Sequence, residues 1–448
     1  MSRERRQNTR SARQLYPLIL AVLIYATPPR RGSAEEMVDF KVMHYQESGG
    51  RIGVTSPAFR YHYDVSPTFG IRIDGIFNTI SGASPTGAPP VPVTTTVTQV
   101  VPTAGGGSTT PATGGDDDDD DDDDDDEIED RALRRGRYHT RAAATPTTTS
   151  SGSGSSGGGT TTVTTQVPTG AVDVPMGQVE DERWGLNLEL VKKIENHALS
   201  TKVSFSSESD YESYARALSD GIEFNNRNTI AALGAAYTHD TIDVFATGGT
   251  DTKTTVDFML GLTQLLDKKT RLQANLMLGR VSGYMNDPYK VAELNGVLVS
   301  ESRPDDKTKT TFYFALIRYI ETLQASIDGS YRYYNDDFGV TGHTVSLAWY
   351  QELGDHFILR PRVRWYRQTA ADFYAVRFTG SPEFYSSDYR LSELETLSYG
   401  AKVIWRPSDR FALDVGYDRY EQQGKDGVTN DMMYPSADIV TGGFRVWF

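Results

Sequence analysis

The sequence predicts an all-β fold, a transmembrane antiparallel β-barrel of about 16 strands with one long disordered acidic insert. Three observations predict it. Apolar and polar residues alternate along most of the chain, short and long connections between the predicted strands alternate, and the last strand ends on the aromatic residue Phe448. Alternation of period two gives a strand one apolar face. A sheet in lipid must close on itself, because no water satisfies an open edge.

Residues 1–34 are typical of a secretory signal peptide. Five arginines precede an apolar run at residues 15–26, and Gly32, Ser33 and Ala34 supply the small residues that a signal peptidase reads. The apolar run is shorter than the roughly 20 residues that a membrane-spanning helix needs. We therefore expect export of the chain and removal of residues 1–34.

Predicted strands lie on both sides of the insert. Residues 35–81 hold the first three, and residues 183–448 hold the other thirteen. In the third strand, Ile71 and Ile73 alternate with Arg72. Most strands reach the roughly 9–11 residues that a tilted membrane strand needs. In chain order, the predicted ranges are 38–46, 51–63, 68–78, 183–194, 198–206, 212–224, 229–239, 254–267, 270–279, 308–320, 324–335, 343–353, 357–368, 396–406, 411–420 and 437–448.

The connections differ in length according to their order. The even-numbered ones are tight turns. The odd-numbered ones include the insert and residues 240–253, 280–307, 336–342, 369–395 and 421–436. A soluble sandwich, the alternative fold, does not require this order, whereas an outer-membrane barrel has short periplasmic turns and long external loops. We therefore expect the protein in the cell outer membrane, in contact with lipid, with Phe448 as a sorting signal for the outer-membrane assembly machinery.

Residues 82–182 form the insert, which we expect to be an extracellular loop. They are rich in Thr, Ser, Gly and Pro and contain eleven consecutive aspartates, a composition that cannot bury a core. We expect weak cation condensation at positions such as Asp116, Asp120 and Asp126, but no specific metal site. The segment TTTVTQVVPT before the aspartates nearly repeats after them as TTTVTTQVPT. The two segments either pair as a β-ribbon or repeat through low-complexity drift.

A basic strip is predicted to line the lumen. Rings of Arg and Lys give pores a preference for anions. In the alternative interpretation, these cations pair with inward-facing acids such as Asp414 and Asp418 and brace the wall. The strip consists of Arg360, Arg362, Arg364, Lys402, Arg406 and Arg445.

Short clusters of aspartate and tyrosine are predicted at the extracellular rim. Carboxylate oxygens suit calcium or magnesium, and tyrosine rings suit ligand stacking. An aromatic girdle combined with loop solubility explains the same pattern. The rim candidates are Asp287, Tyr289, Asp336, Asp337, Asp372, Tyr374, Asp388 and Tyr389.

Several segments, found in order, resemble a bacterial family known as domain of unknown function 3570. They are VDFKVMHYQE, SGASPTGAP, SGYMNDPYK, YRYYNDDFG, AADFY and SSDYRLS. The resemblance covers nearly the whole chain after the signal peptide and implies an outer-membrane protein without a settled activity. Family members are often encoded near a small lipoprotein, a thioredoxin-like protein and a flavin-attaching transferase, which implies envelope redox proteins as partners. The resemblance supplies no catalytic residues.

The sequence favours a protein that is not an enzyme and needs no cofactor. Without cysteine it has no thiolate metal ligand, and its histidines lack metal-ligand spacing. It also lacks a phosphate-binding glycine loop, a nucleophile elbow and a basic patch for nucleic acid. Two functions remain: a porin-like conduit for a small solute, and a non-conducting scaffold that docks envelope partners of an extracytosolic redox system.

Overall fold

The computed structural model describes residues 36–102, 160–244 and 248–448. The predicted signal peptide and the aspartate run lie outside these residues. The strands are β1 (Glu36–Glu47), β2 (Gly53–Ser66), β3 (Phe69–Pro85), β4 (Val91–Pro102), β5 (Thr160–Asp173), β6 (Met176–Ile194), β7 (His197–Ser207), β8 (Tyr211–Phe224), β9 (Thr229–Val244), β10 (Gly249–Asp267), β11 (Thr270–Gly283), β12 (Val291–Leu294), β13 (Val297–Ser300), β14 (Asp306–Ile320), β15 (Ala325–Asp336), β16 (Thr341–Leu353), β17 (Phe357–Gln368), β18 (Arg377–Phe378), β19 (Leu394–Ser408), β20 (Phe411–Gly424) and β21 (Ser436–Trp447).

The helical elements in the described ranges are single 3₁₀ turns. They are Ser48–Gly50, Asn225–Arg227, Glu321–Leu323, Tyr389–Leu391 and Asp431–Met433. No helix in this part of the chain is long and apolar enough to cross a membrane.

Sixteen strands form one closed antiparallel barrel, which confirms the predicted fold class. They follow chain order around the ring, and β4, β5, β12, β13 and β18 lie outside it. The ring closes where β1 pairs with β21, from Met37 opposite Trp447 to Glu47 opposite Ala437. The strands match the predicted ones in order, although β3 continues to Pro85 and β6 begins at Met176, inside the predicted insert.

The two ends of the barrel differ in their connections. At one end, here called the turn end, every link is two to four residues long. At the other, the loop end, β3 leads to β6 through the insert, and long segments follow β11, β17 and β20. The predicted loop at 240–253 is wrong, because β9 and β10 continue as a hairpin in which Asp243 lies opposite Thr250. β-Branched threonines on both strands favour this extended pairing.

The outer surface of the wall is apolar. Leu218 is 65% exposed and Phe258 is 58% exposed. Similar exposed side chains recur around the ring: Leu186, Val203, Leu233, Leu260, Leu278, Phe312, Val345, Leu347, Tyr399, Val403, Val415 and Val440. A band of this extent on a closed sheet matches the lipid-facing surface of a membrane barrel. The alternate side chains on the same strands therefore face the lumen.

Two smaller sheets accompany the barrel. β4 and β5 pair antiparallel, with Thr98 opposite Thr164, so the structure contains the first of the two alternatives, a ribbon formed by the repeated Thr/Val segments. β12 pairs with β13 antiparallel and with β18 in parallel. Because β12 and β13 follow β11 and β18 follows β17, this sheet joins two loop-end segments that are far apart in sequence.

Candidate functional site

The loop-end segments fold together into one structure, here called the cap. It consists of residues 84–90, 173–176, 284–305, 337–340, 369–393 and 425–435. A buried apolar cluster joins the cap to the wall, with Val174, Tyr389, Met433 and Tyr434 in the cap and Leu394 at the start of β19. The strand that follows Val174 is β6, and the strand that contains Leu394 is β19. Counted the shorter way around the ring, these two strands lie six places apart. The cap therefore lies across the loop-end opening of the lumen.

Polar contacts also cross this opening. Lys290, on the segment after β11, donates to the carbonyl oxygen of Pro85 on β3, and its Nζ lies 3.4 Å from the Oγ of Ser84. The next backbone N–H, that of Val291, donates to the carbonyl of Thr86 at 2.9 Å. Lys290 is 5% exposed. Burial lowers its pKa, while the nearby charge of Asp388 acts in the opposite direction.

Asp388 is the most enclosed carboxylate of the cap, with 1% exposure. Its Oδ1 accepts from Nε of Arg390 at 2.9 Å, and its Oδ2 accepts from Nη2 of Arg390 at 2.6 Å and of Arg303 at 3.0 Å. Burial alone would raise the pKa of Asp388, but Arg390, Lys290 and Arg303 together hold that pKa well below its usual range. This carboxylate thus ties the segment before β14 to the segment before β19.

Glu301 extends the same ion-pair network. Its Oε1 lies 2.7 Å from Nε of Arg303, and its Oε2 accepts from Oγ of Ser386 at 2.5 Å. Burial raises the pKa of Glu301, opposed chiefly by the charge of Arg303. Two acids and two arginines therefore share one enclosed polar cluster, because Arg303 contacts both Glu301 and Asp388.

The predicted rim residues lie in or beside the cap, and several are buried. Asp336 is 5% exposed; its carboxylate lies 2.9 Å from Nζ of Lys307 and accepts from two backbone N–H groups of the 337–340 segment. Asp287 pairs with Arg390. The other rim residues make the following contacts. Asp337 accepts from the N–H of Thr308, Tyr289 donates to Asp210, and the hydroxyl groups of Tyr374 and Thr429 share a hydrogen bond. Tyr389 packs edge-on against Tyr434, and the N–H of Asp372 donates to the carbonyl oxygen of Phe338.

Three members of the predicted basic strip pair with acids inside the barrel. Nε of Arg362 donates to Oδ1 of Asp418 at 2.6 Å, and Nζ of Lys402 lies 2.5 Å from Oδ1 of Asp414. The Asp418 pair reaches across the intervening strand at Gly400, where a Cβ would come within 2.1 Å of the carbonyl oxygen of Tyr417 and within 2.5 Å of Oδ1 of Asp418. A side chain at residue 400 would therefore occupy the place of the ion pair.

Arg445 pairs with Asp39 across the β1–β21 seam, and its Nε donates to Oδ2 at 2.9 Å. This partner was not predicted. It becomes a neighbour only when the first and last strands meet, with Asp39 directly opposite Arg445 in the ladder.

The other three members of the strip, Arg360, Arg364 and Arg406, form no ion pair among the residues that the structure describes. The guanidinium of Arg360 lies over the ring of Tyr350, 4.8 Å from its centroid. Arg406 is exposed near the turn end. Arg364 faces a cavity in the lumen.

This cavity, here called the chamber, has a volume of about 640 Å³ and lies directly beneath the cap. Arg390 and Leu394 bound it on the cap side. The rest of its lining comes from the wall strands β14 to β21 and includes Tyr313, Asp328, Ser330, Ser346, Ala348, Arg360, Arg362, Arg364, Tyr366, Gln368, Thr396, Ser398, Asp418, Tyr420, Gln422 and Ile439. The chamber thus combines arginines, hydroxyl groups and apolar patches.

A family model described as "Protein of unknown function (DUF3570)" matches residues 20–250 and 244–441. The chain belongs to this family. The resemblance identified from the sequence is therefore confirmed. Three of the segments that carry it, SGASPTGAP, SGYMNDPYK and SSDYRLS, meet in the cap of this DUF3570 member through Pro85, Lys290 and Asp388.

Solved structures that this chain resembles include bacterial receptors and one further protein. The siderophore receptor PirA from Pseudomonas aeruginosa has 10% identity and a TM-score of 0.41, with 92% of this chain and 62% of that chain covered. For a mutant ferric enterobactin receptor (PfeA) of the same organism, the values are 10%, 0.40, 92% and 60%. For OccK5 (OpdH), also from P. aeruginosa, they are 6%, 0.38, 93% and 98%. The DUF3570 chain thus spans about three fifths of the receptors' length. No curated protein matches it.

One cluster of this DUF3570 member was missed by sequence reasoning. Carboxylate oxygens of Asp181, Glu208 and Asp210 lie within 4.8 Å of one another. Burial raises the pKa of Glu208 and of Asp210. Arg183 lies 3.4 Å from Glu208, and Tyr289 donates to Asp210, so the chain itself contributes partners to these acids. No sequence signal marks the cluster, because Asp181 is on β6 whereas Glu208 and Asp210 are on the connection between β7 and β8.

Proposed function

We propose that the protein is a porin-like conduit for a small solute, and that the cap closes its external end in the conformation described here. The observation that carries this proposal is the chamber, a cavity of about 640 Å³ with polar and apolar lining inside a sixteen-strand barrel. Barrels of about 16 strands are wide enough for an aqueous channel. On this proposal the protein is not an enzyme and requires no cofactor.

The proposed location is the cell outer membrane, with the loop end outside. The apolar outer band and the short turns at one end support this assignment, since bacterial barrels place short turns in the periplasm. Lipid and the assembly machinery are then the expected partners.

Passage of a solute requires the cap to move. Its contacts across the opening include hydrogen bonds and ion pairs as well as the apolar cluster, and the network around Asp388 joins the segments before β14 and β19. A change that weakens this network should favour the open state by making the closed state less stable.

Single-channel recording in planar bilayers tests the proposal. We expect brief or rare openings for the wild type and a larger open fraction for Asp388→Asn, which keeps the side-chain shape but removes the charge. Asp355→Asn is the matched control, because Asp355 is exposed in the turn between β16 and β17. If both the wild type and Asp388→Asn form folded barrels that never conduct, the conduit proposal is wrong.

The cap also favours the second candidate function, a non-conducting scaffold. A barrel whose opening is covered by a buried apolar cluster presents a fixed external surface rather than an entrance. On this proposal, the barrel docks envelope partners of an extracytosolic redox system. A silent but folded barrel in the recordings above would support this second function.

A further inference from the structure

We propose that the chamber binds a small organic monocarboxylate and that Arg364 holds its carboxylate group. This inference rests on the proposed conduit function, because the ligand would be the solute or an analogue of it. It names the chemical class of that solute.

Arg364 occupies the middle of a row of hydroxyl groups. In the ladders it lies opposite Ser346 on β16 and Ser398 on β19. Ser330 lies beyond Ser346, and Tyr420 beyond Ser398. All five residues line the chamber. An arginine is thus surrounded by neutral groups that can donate to a bound oxygen.

Arg362, the neighbouring arginine on the same face of β17, differs from Arg364 in its hydrogen-bond partners. Arg362 lies one step nearer the turn end, about 7 Å along the strand, and Asp418 satisfies it with two hydrogen bonds. Within the described residues, Arg364 makes neither an ion pair nor a side-chain hydrogen bond. A guanidinium group matches a carboxylate through two parallel N–H···O bonds. Arg364 therefore presents guanidinium N–H groups to the chamber, whereas those of Arg362 already bind Asp418.

The remaining lining argues for an organic ligand with a single negative charge. Leu394, Ile439 and Ala348 supply apolar surface, and Tyr313 and Tyr366 supply ring surface. The volume lies within the range of about 300–1,000 Å³ that is typical of small-molecule sites. Of the other arginines in the lining, Arg362 and Arg390 are paired with aspartates, and the guanidinium of Arg360 lies over the ring of Tyr350. Asp328 also lines the chamber, and its carboxylate would repel a second anionic group on the ligand.

Calorimetry on the purified full-length barrel in detergent tests the site, with benzoate as the probe. Benzamide has the same ring without the charge, and inorganic phosphate has charge without an apolar body. We expect benzoate to bind. Benzamide should bind at least about tenfold more weakly, because it has no charge for a hydrogen-bonded pair with Arg364. Phosphate should also bind more weakly, because it has no apolar body and its second charge would be repelled by Asp328. Raising the salt concentration should weaken benzoate binding.

Two variants and a control locate the binding site. Arg364→Gln should weaken benzoate binding by about tenfold or more, and Arg364→Lys should retain part of it as a point charge. Arg410→Gln, which removes an exposed arginine from the turn between β19 and β20, should have no effect. Migration of the unheated protein on a gel checks that each variant forms a barrel.

The results separate this inference from the conduit proposal. Equal binding of benzamide or phosphate, or unchanged benzoate binding in folded Arg364→Gln, overturns the monocarboxylate site. Benzoate binding at Arg364 in a barrel that never conducts supports the site and rejects the conduit. Conductance without benzoate binding retains the conduit and rejects the site.

Discussion

Replacing Asp388 with asparagine should loosen the cap without unfolding the barrel. The amide has nearly the shape of the carboxylate but no charge, and its NH₂ group would point donors at the donors of Arg390 and Arg303. The wall strands make no use of Asp388, since its bonds are to Arg303, Arg390 and Ser386. The free energy of cap opening should therefore fall, while the stability of the barrel stays nearly constant.

The expected magnitude follows from the burial of these groups. Breaking a buried ion pair by removing one partner typically costs about 3–5 kcal/mol. The side chain of Arg390 is 51% exposed, so water screens part of its interaction, whereas that of Arg303 is 13% exposed. We therefore take the lower end, about 3 kcal/mol. At about 1.4 kcal/mol per factor of ten, local opening becomes on the order of 100-fold more frequent.

Hydrogen–deuterium exchange with mass spectrometry measures this opening directly. Peptides from 284–305 and 369–393 should exchange on the order of 100-fold faster in Asp388→Asn, and peptides from the wall should not change. Asp355→Asn controls for the loss of a carboxylate elsewhere. If the cap peptides of Asp388→Asn exchange at the wild-type rate, the network around Asp388 does not hold the cap closed.

The effect of Asp388→Asn on cap opening should depend on pH in a definite direction. Because the pKa of Asp388 is lowered in the folded protein, its stabilisation is complete above its ordinary pKa of about 4 and is lost as the pH falls through the lowered value. Glu301 acts in the opposite sense, because burial raises its pKa, but it is present in both proteins. The difference in the free energy of cap opening between wild type and Asp388→Asn should therefore be constant from about pH 5 to 8 and shrink below about pH 4.

Four further predictions concern the wall, the insert and the last strand. Gly400→Ala should clash with the carbonyl oxygen of Tyr417 and with Oδ1 of Asp418 and lower the melting temperature, whereas Gly442→Ala, where a Cβ meets its nearest atom only at 4.0 Å, should not; equal melting of the two would contradict the steric argument. Protease added to intact cells should cleave within residues 82–182, and cleavage only after permeabilisation would reverse the orientation. Deleting Phe448, which is 39% exposed on the outer face, should slow assembly more than it destabilises folded protein; a normal assembly rate would disprove the sorting role. A peptide containing the eleven aspartates should bind calcium weakly and without folding, so one tight saturable site in calorimetry would refute cation condensation.

Much of the wall could be predicted from the sequence, because alternation and connection length are local signals. These signals predict the strands, their order and the inward direction of Arg362 and Lys402. In the structure these two residues pair with Asp418 and Asp414, the partners named in the alternative interpretation. The partner of Arg445 could not be found in this way, since Asp39 is 406 residues away and the register of closure brings them together.

The cap could not be predicted, because its segments lack a periodic pattern. Asp388 looks like a surface residue in sequence, with Ser386, Arg390 and Ser387 around it. Its burial depends on Arg303, which is 85 residues away. The hydroxyl row at Arg364 was missed for a related reason: each serine is unremarkable on its own strand, and only the ladder registers align them.

The seam between β1 and β21 has a consequence for how the barrel forms. Asp39 pairs with Arg445, the rings of Phe40 and Phe444 lie 5.6 Å apart, and the N–H of Phe448 donates to the carbonyl of Glu36. All three contacts join opposite ends of the described chain, so none can form until the intervening hairpins have completed the circumference. An unsealed sheet would expose two edges to hydrocarbon, where unpaired backbone groups each cost several kcal/mol. Sealing should therefore be a cooperative step, and a barrel with one strand detached should not accumulate in the membrane.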